Sequence, residues 1–123
     1  MLKVYVAGKI SADTPAEMFA NIRRGIALTV DIIRLGHAPY PTFTNFLWSL
    51  HEEIPNETFY SMDLTWLASA DVMVVVPDGH DQSFGVHELE VPLCEELGIP
   101  VCMGIEDFKD WLHKYELLHE KKA

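Results

Sequence analysis

The stretch Val72-Met73-Val74-Val75-Val76 decides the fold class of this chain, because its consecutive apolar residues leave neither face of a strand suited to water. Asp71 precedes the run and Pro77 ends it, so it has the length of a single strand. A continuous apolar run of this kind is typical of a parallel sheet that is covered on both faces. We therefore expect a parallel sheet with helices on both sides and with this run buried inside it.

Strand and helix patterns alternate outward from this run. Strands are predicted over residues 2–7, 37–43, 72–76 and 100–103, and helices over residues 15–35, 57–70, 85–97 and 106–120, with an irregular segment over residues 44–56. The first helix opens on a capping box and carries an apolar stripe of Phe19, Ile22, Ile26, Val30 and Ile33. This order predicts one α/β domain over residues 1–123. It is a three-layer sandwich whose open parallel sheet, of the Rossmann or flavodoxin-like type, has four to five strands with helices on both faces.

The composition is that of an acidic globular domain. The 123 residues include 9 Lys and Arg against 19 Asp and Glu, which gives a formal net charge of −10, and 49% are apolar. Nucleic-acid binding needs clustered cations, so we expect no nucleic-acid partner. The apolar runs are too short for a membrane span and the first residues lack a signal-peptide layout, so a cytoplasmic protein without a membrane partner is expected. Cys94 and Cys102 are interpreted as small core residues.

Two acidic residues lie on predicted apolar helix faces. Glu90 falls among Val86, Leu89, Leu93, Cys94 and Leu97. Asp63 falls among Phe59, Trp66, Leu67 and Ala70, and Trp66 and Met62 are expected in the core. A carboxylate on such a face is costly unless it is paired or its pKa rises. Two such acids near the ends of the strands fit acid–base or nucleophilic catalysis, whereas each alone also fits a helix cap or a buried ion pair with an arginine.

Polar residues at two strand ends indicate an anion site. Ser83-Phe84-Gly85 precedes a helix N-terminus, whose N–H groups suit a phosphate or sugar oxygen, and Lys9 and Ser11 follow the first strand. A helix N-cap is the simpler role for Ser83, and a solvated charge is the simpler role for Lys9.

Metal and cofactor motifs are missing from the sequence. His80, Asp81 and His87 have no established metal-ligand spacing. Neither a dinucleotide fingerprint nor a triphosphate-binding loop occurs. We therefore expect neither a metal nor an organic cofactor.

Four segments, in chain order, carry a resemblance to a known family. They are residues 3–11 (KVYVAGKIS), 35–40 (LGHAPY), 63–71 (DLTWLASAD) and 83–101 (Ser83-x-Gly85, an acid, then LGIPV). Together they resemble the nucleoside 2-deoxyribosyltransferase-like superfamily over about residues 3–102, and within it the small DUF4406-type proteins are the most similar. The chain departs from the family pattern at Lys9, where proline or a small residue is usual, and at Pro92.

The resemblance implies cleavage of an N-glycosidic bond in a nucleoside or nucleotide. In that family a glutamate attacks the anomeric carbon and forms a glycosyl-enzyme intermediate, which water (in a hydrolase) or a second base (in a transferase) resolves. Matching backward from Gly98 makes Glu90 the nucleophile. Matching forward from Gly85 reaches Leu89 instead, which implies one inserted residue and leaves Glu88 as the alternative nucleophile.

The resemblance also implies roles for other residues. Asp63 matches the acid that aids protonation of the leaving base, and Tyr5 matches a strand tyrosine that positions the nucleophile or the sugar. The expected substrate-binding residues are Gly8, Lys9, Ile10, Ser11, Ser83 and Gly85, the last two at the 5′-phosphate.

Two functional hypotheses follow, beside a third interpretation as a purely structural or interaction domain that binds no nucleotide. The first is an N-glycosidase or deoxyribosyltransferase that acts on a (deoxy)nucleoside or nucleoside 5′-monophosphate. The alternative is a non-catalytic nucleotide-binding module, a sensor or sequestering protein, on the same fold. Because the resembling proteins assemble as homo-oligomers, a homodimer or larger assembly is expected, with the apolar segment 44–56 as a lid or a subunit contact.

Overall fold

A four-stranded, all-parallel sheet with strand order β2-β1-β3-β4 forms the centre of the structure, a computed structural model that describes residues 1–79 and 83–122, with side chains as far as residue 119. The strands are β1 (Lys3–Ala7), β2 (Ala38–Pro41), β3 (Val72–Val75) and β4 (Val101–Met103). The α-helices are α1 (Pro15–Arg34), α2 (Asn56–Leu67), α3 (Val91–Leu97) and α4 (Gly104–Lys122). A 3₁₀ segment, Thr42–Leu50, follows β2, and a π-helical segment, Gly85–Glu90, leads into α3. The expected α/β fold is confirmed.

Helices cover both faces of the sheet. One apolar cluster joins β1 and β3 to α1 and α4 through residues such as Val74, Ile32 and Phe108. The other joins the opposite face to α2 and α3 through Leu67 and Cys94. All four residues of β3 are buried, as the apolar run predicts for a strand covered on both sides.

Helix α1 begins as predicted but buries a different face. The Thr14 hydroxyl accepts a hydrogen bond from the Glu17 N–H at 3.2 Å, and proline stands in the first turn. The buried residues are Ile22, Gly25, Leu28, Thr29 and Ile32, whereas Phe19, Ile26 and Ile33 are exposed, so the predicted stripe is wrong in these three positions. The cause is Gly25, because a Cβ atom there would overlap the Phe43 ring. Periodicity alone gives a glycine no weight in choosing the buried face.

Strand β2 is a short strand within the predicted range 37–43 and lies at an edge of the sheet. The Ala38 N–H donates to the Leu2 carbonyl at 2.9 Å, so the N–H of Ala38 points toward β1. Pro39 and Pro41 alternate with Ala38 and Tyr40, so the residues that lack an N–H occupy the outward positions. Two prolines are therefore compatible with a paired strand.

The segment after β2 is anchored to the sheet rather than irregular. The Thr42 hydroxyl donates to the Val6 carbonyl at 3.1 Å, and the Phe43 side chain is buried. A Cβ atom on Gly8 would lie 2.9 Å from the end of the Phe43 ring, so the end of β1 is also fitted to this side chain. These contacts fix the 3₁₀ segment Thr42–Leu50 at the carboxyl end of the sheet.

The helix predicted over residues 85–97 has two parts. The Val91 N–H bonds to the Val86 carbonyl five residues earlier, the hydrogen bond of a π-helix. Pro92 comes next, in the first turn of α3, where its missing N–H and its ring interrupt no α-helical hydrogen bond. A π-turn holds more residues than an α-turn, so this segment accommodates an additional residue before α3.

Burial agrees with the prediction for the two cysteines and disagrees with it for two residues of α2. Cys94 and Cys102 are buried and unpaired, as expected. Trp66 and Met62, expected in the core, are 56% and 38% exposed, because α2 turns Asp63 and Leu67 toward the sheet instead. Among the described residues, no helix has the length and apolar character that a membrane span requires.

Candidate functional site

A cavity of about 550 Å³ opens beyond the carboxyl end of the sheet, within the size range of small-molecule sites. Its walls come from the β1–α1 loop, the 3₁₀ segment, α2 and the π-helical segment. Eight of the residues singled out in the sequence line it: Gly8, Lys9, Ile10, Ser11, Asp63, Ser83, Gly85 and Glu90. Ligands bind at this end of open parallel sheets, and the topology therefore brings the predicted residues into one place.

Asp63 is a buried carboxylate held by two side chains. The Asn45 amide nitrogen lies 2.9 Å from Oδ1 and 3.2 Å from Oδ2 of Asp63, and the Tyr40 hydroxyl donates to Oδ1 at 3.1 Å. Burial raises the pKa of Asp63 above its ordinary value, and the hydrogen bonds from Asn45 and Tyr40 offset only part of this rise. An acid on the apolar face of α2 is thus satisfied by donors from β2 and the 3₁₀ segment rather than by an arginine or a helix cap.

Glu90 is the most perturbed acid of the cavity. It is 7% exposed, and burial raises its pKa from 4.5 to about 7. A hydrogen-bonding contact with Tyr5 lowers this pKa, and the charge of Asp63 raises it further. At neutral pH a substantial fraction of Glu90 is therefore protonated.

Tyr5 lies beneath the two acids. Its side chain is fully buried, and its hydroxyl makes no hydrogen bond of ordinary geometry with the described residues, although the Glu90 carboxyl is close enough to affect it. Burial and the charges of Glu90 and Asp63 raise the pKa of Tyr5 far above its usual range. The hydroxyl therefore keeps its proton and stays close to Glu90, but unlike the two acids Tyr5 is not one of the residues that line the cavity.

The structure does not bring the alternative nucleophile into this cavity. The Glu88 side chain is exposed, and its carboxylate lies 4.0 Å from the imidazole of His87. The π-helical geometry places Glu90 on the buried side, and Leu89 also lines the cavity. The π-helical segment thus places an acid, Glu90, in the cavity that Asp63 also lines.

Ser83 caps the π-helical segment and also borders the cavity. Its hydroxyl accepts a hydrogen bond from the Val86 N–H at 3.3 Å, so the simpler role of an N-cap is present. Lys9 extends along Gly79, where a Cβ atom would lie 3.1 Å from its Cδ. Ser83 and Lys9 thus provide polar groups at the end of the cavity formed by the loops after β1 and β3.

In the described part of the chain, the residue types that bind metals do not come together into a site. There, no group of three or more His, Cys, Asp or Glu side chains is arranged to hold an ion. His87 is exposed, and His80 and Asp81 lie outside the described residues.

Sequence reasoning missed Asn45 and Tyr40. Tyr40 pairs in register with Tyr5, and its ring stacks between those of Tyr5 and Trp66, at centroid distances of 5.6 and 5.3 Å. The signal that could have indicated Tyr40 is its position at the carboxyl end of a strand beside Tyr5. Asn45 carries a weaker signal, as a polar residue inside the apolar run of the 3₁₀ segment.

Comparison of the sequence with known families and curated proteins gives no match.

Proposed function

We propose that this protein cleaves or transfers the N-glycosidic bond of a (deoxy)nucleoside or nucleoside 5′-monophosphate, with Glu90 as the nucleophile. The observation that carries this proposal is the pair of buried carboxyls, Glu90 and Asp63, in one cavity at the carboxyl end of the sheet. Glycosyl transfer with a covalent intermediate needs one carboxylate at the anomeric carbon and one acid for the leaving group. The order of the four sequence segments supports the same chemistry.

The reaction needs an ionised Glu90 and a proton for the leaving base. A Glu90 oxygen forms a bond to the anomeric carbon while the bond from that carbon to the base nitrogen breaks, and the base leaves with the proton of Asp63. Asp63 then takes a proton from water as the water oxygen attacks the anomeric carbon and releases Glu90. In a transferase, a second base takes the place of water. The buried pair thus has to carry one proton in total at the start.

The walls of the cavity suit the rest of such a substrate. The Tyr60 and Phe84 rings, with centroids 5.7 Å apart, offer an aromatic surface for a flat base. Lys9 brings a positive charge to a cavity that otherwise holds the acids Glu53, Asp63 and Glu90, so an anionic group of the substrate would lie near Lys9.

One observation favours the alternative, a nucleotide-binding module without catalysis. The Asn45 and Tyr40 hydrogen bonds favour the ionised form of Asp63, whereas acid catalysis by Asp63 requires its protonated form. Such a module would bind the nucleotide without releasing the base.

The direct test is incubation with a panel of nucleosides and their 5′-monophosphates, with the free base separated by chromatography. Glu90→Gln and Glu88→Gln are compared with the wild type, because they make the same chemical change inside and outside the cavity. We expect base release from at least one substrate, a loss of about a thousandfold or more in Glu90→Gln, and a change within about twofold in Glu88→Gln.

Two results contradict this proposal. Base release that is unchanged in Glu90→Gln excludes Glu90 as the nucleophile. A panel without any base release, together with a thermal shift caused by a nucleotide, favours the binding module instead.

A further inference from the structure

The two carboxyls of the cavity differ in the hydrogen bonds that they receive from the protein. Asp63 accepts hydrogen bonds on both oxygens, from the Asn45 amide and the Tyr40 hydroxyl. Glu90 is the more buried acid, and no hydrogen bond of ordinary geometry from a described side chain reaches it, although the Tyr5 hydroxyl is close enough to lower its pKa. An amide nitrogen can only donate, so in this orientation Asn45 stabilises the carboxylate form of Asp63.

We propose that Asn45 is a positioning residue that keeps Asp63 ionised and thereby leaves the single proton of the pair on Glu90 in the resting protein. The amide nitrogen contacts both oxygens of Asp63, and these contacts are stronger with a carboxylate than with a neutral acid. The resulting negative charge on Asp63 disfavours a second charge on Glu90 nearby. The burial of Glu90, which raises its pKa, acts in the same direction.

Other titratable groups around the pair come from every neighbouring element. They are Tyr5 on β1, Tyr40 on β2, Cys94 on α3, Lys9 after β1, and Glu53 and Tyr60 along the cavity wall. Burial raises the pKa of Tyr5, Tyr40 and Cys94, so these three stay neutral near pH 7. The proton equilibrium near neutral pH is thus principally that of Glu90 and Asp63.

The consequence for catalysis rests on the proposed function. The reactive arrangement has its proton on Asp63, whereas Asn45 favours the proton on Glu90. Asn45 itself lines the cavity, so a bound substrate can compete for its amide group. A substrate that accepts a hydrogen bond from the Asn45 amide removes that hydrogen bond from Asp63. The Asp63 carboxylate is then less stabilised, and the proton can move from Glu90 to Asp63. The resting site is then held in its unreactive protonation state until it is occupied.

The location of the proton can be measured without any substrate. The carboxyl carbons of ¹³C-labelled Asp and Glu are followed by NMR as the pH is varied, and the two signals are assigned with Asp63→Asn and Glu90→Gln. In the wild type we expect Glu90 to titrate near pH 7, and Asp63 to titrate at lower pH. In Asn45→Leu, of similar size but without donors, the Asp63 midpoint should rise by about one pH unit and the two midpoints should approach each other.

Two further variants make the test decisive. Tyr40→Phe removes the other donor and keeps the stacked ring, so it should shift Asp63 in the same direction even where Asn45→Leu does not fold. Asn56→Leu changes an exposed asparagine of the same cavity and should leave both midpoints in place.

The proposal is overturned if Asp63 titrates above Glu90 in the wild type. It is also overturned if neither Asn45→Leu nor Tyr40→Phe moves the Asp63 midpoint more than Asn56→Leu does. Both outcomes are independent of base release, so a failure here is distinguishable from a failure of the proposed N-glycosidic chemistry.

Discussion

The ring of Phe43 lies directly against Gly25 of α1, in space that the Cβ atom of any other residue would occupy. This contact joins the 3₁₀ segment that carries Asn45 to α1 within one apolar cluster. It therefore links the stability of the fold to the geometry of the cavity.

The first prediction concerns this contact. Gly25→Ala should lower the free energy of unfolding by about 1–3 kcal/mol, because the added methyl group overlaps a buried ring that has no room to move. In an open helix position the same substitution would raise stability by up to about 1 kcal/mol. Urea unfolding distinguishes the two signs, and Ala27→Gly on the exposed face of α1 supplies a control of ordinary helix propensity. A stabilised Gly25→Ala protein would mean that Phe43 packs elsewhere.

The second prediction concerns the pH dependence of stability. The folded-state pKa of Glu90 is raised from 4.5 to about 7, so the folded protein binds more protons than the unfolded chain between these values. The Glu90 contribution to stability is therefore fully present below about pH 4.5 and is lost as pH rises through about 7. The free energy of unfolding that is lost over this range is about 3 kcal/mol.

Comparison of wild type with Glu90→Gln isolates this effect, since the amide stays neutral at every pH. The variant should gain stability relative to wild type between pH 5 and pH 8, measured by urea unfolding at both values. Glu88→Gln, on the exposed side, should follow the wild type. A constant difference between wild type and Glu90→Gln over this range would show that Glu90 has an ordinary pKa.

The third prediction separates Tyr5 from a purely structural role. The Tyr5 contact lowers the pKa of Glu90, so Tyr5→Phe should raise that pKa and move the acidic limb of the activity profile to higher pH. Base release under the proposed function should fall about tenfold to a hundredfold at neutral pH. Tyr115→Phe, on α4, is the matched control. A lower rate with an unshifted profile would indicate that Tyr5 serves packing alone.

The fourth prediction concerns Gly85, beside which there is room for one methyl group. A Cβ atom there would lie 3.5 Å from the Tyr60 ring and 3.6 Å from Oε1 of Glu90, which are ordinary contact distances. Gly85→Ala should therefore fold with unchanged or slightly higher stability, while the methyl group occupies space that a substrate needs beside Glu90. We expect KM to rise or kcat to fall, together about tenfold or more in kcat/KM. Full activity in Gly85→Ala would place the substrate away from Glu90.

The fold was predictable because its signals are local and mutually consistent. The apolar run over residues 72–76, the Thr14 cap and the Gly98 stop each act within a few residues. The buried face of α1 was not predictable, because it depends on the distant contact between Gly25 and Phe43.

The candidate site was predictable only in part. Asp63 and Glu90 are visible as charges on apolar helix faces, and the strand-end rule places them together. The role of Asn45 depends on how the 3₁₀ segment folds back over α2, which no pattern of the sequence specifies. The difference between Glu88 and Glu90 likewise depends on the π-helical segment, whose origin is visible only in Pro92.

The two prolines of β2 also determine how this sheet can meet other chains. Because Pro39 and Pro41 occupy the outward positions, this edge has no N–H group to offer an approaching strand. A neighbouring molecule cannot extend the sheet at β2, so edge-to-edge growth into a larger sheet is blocked on that side, beside the aromatic stack of Tyr40. At this edge, association of two copies has to proceed through side chains instead of a shared β-ladder.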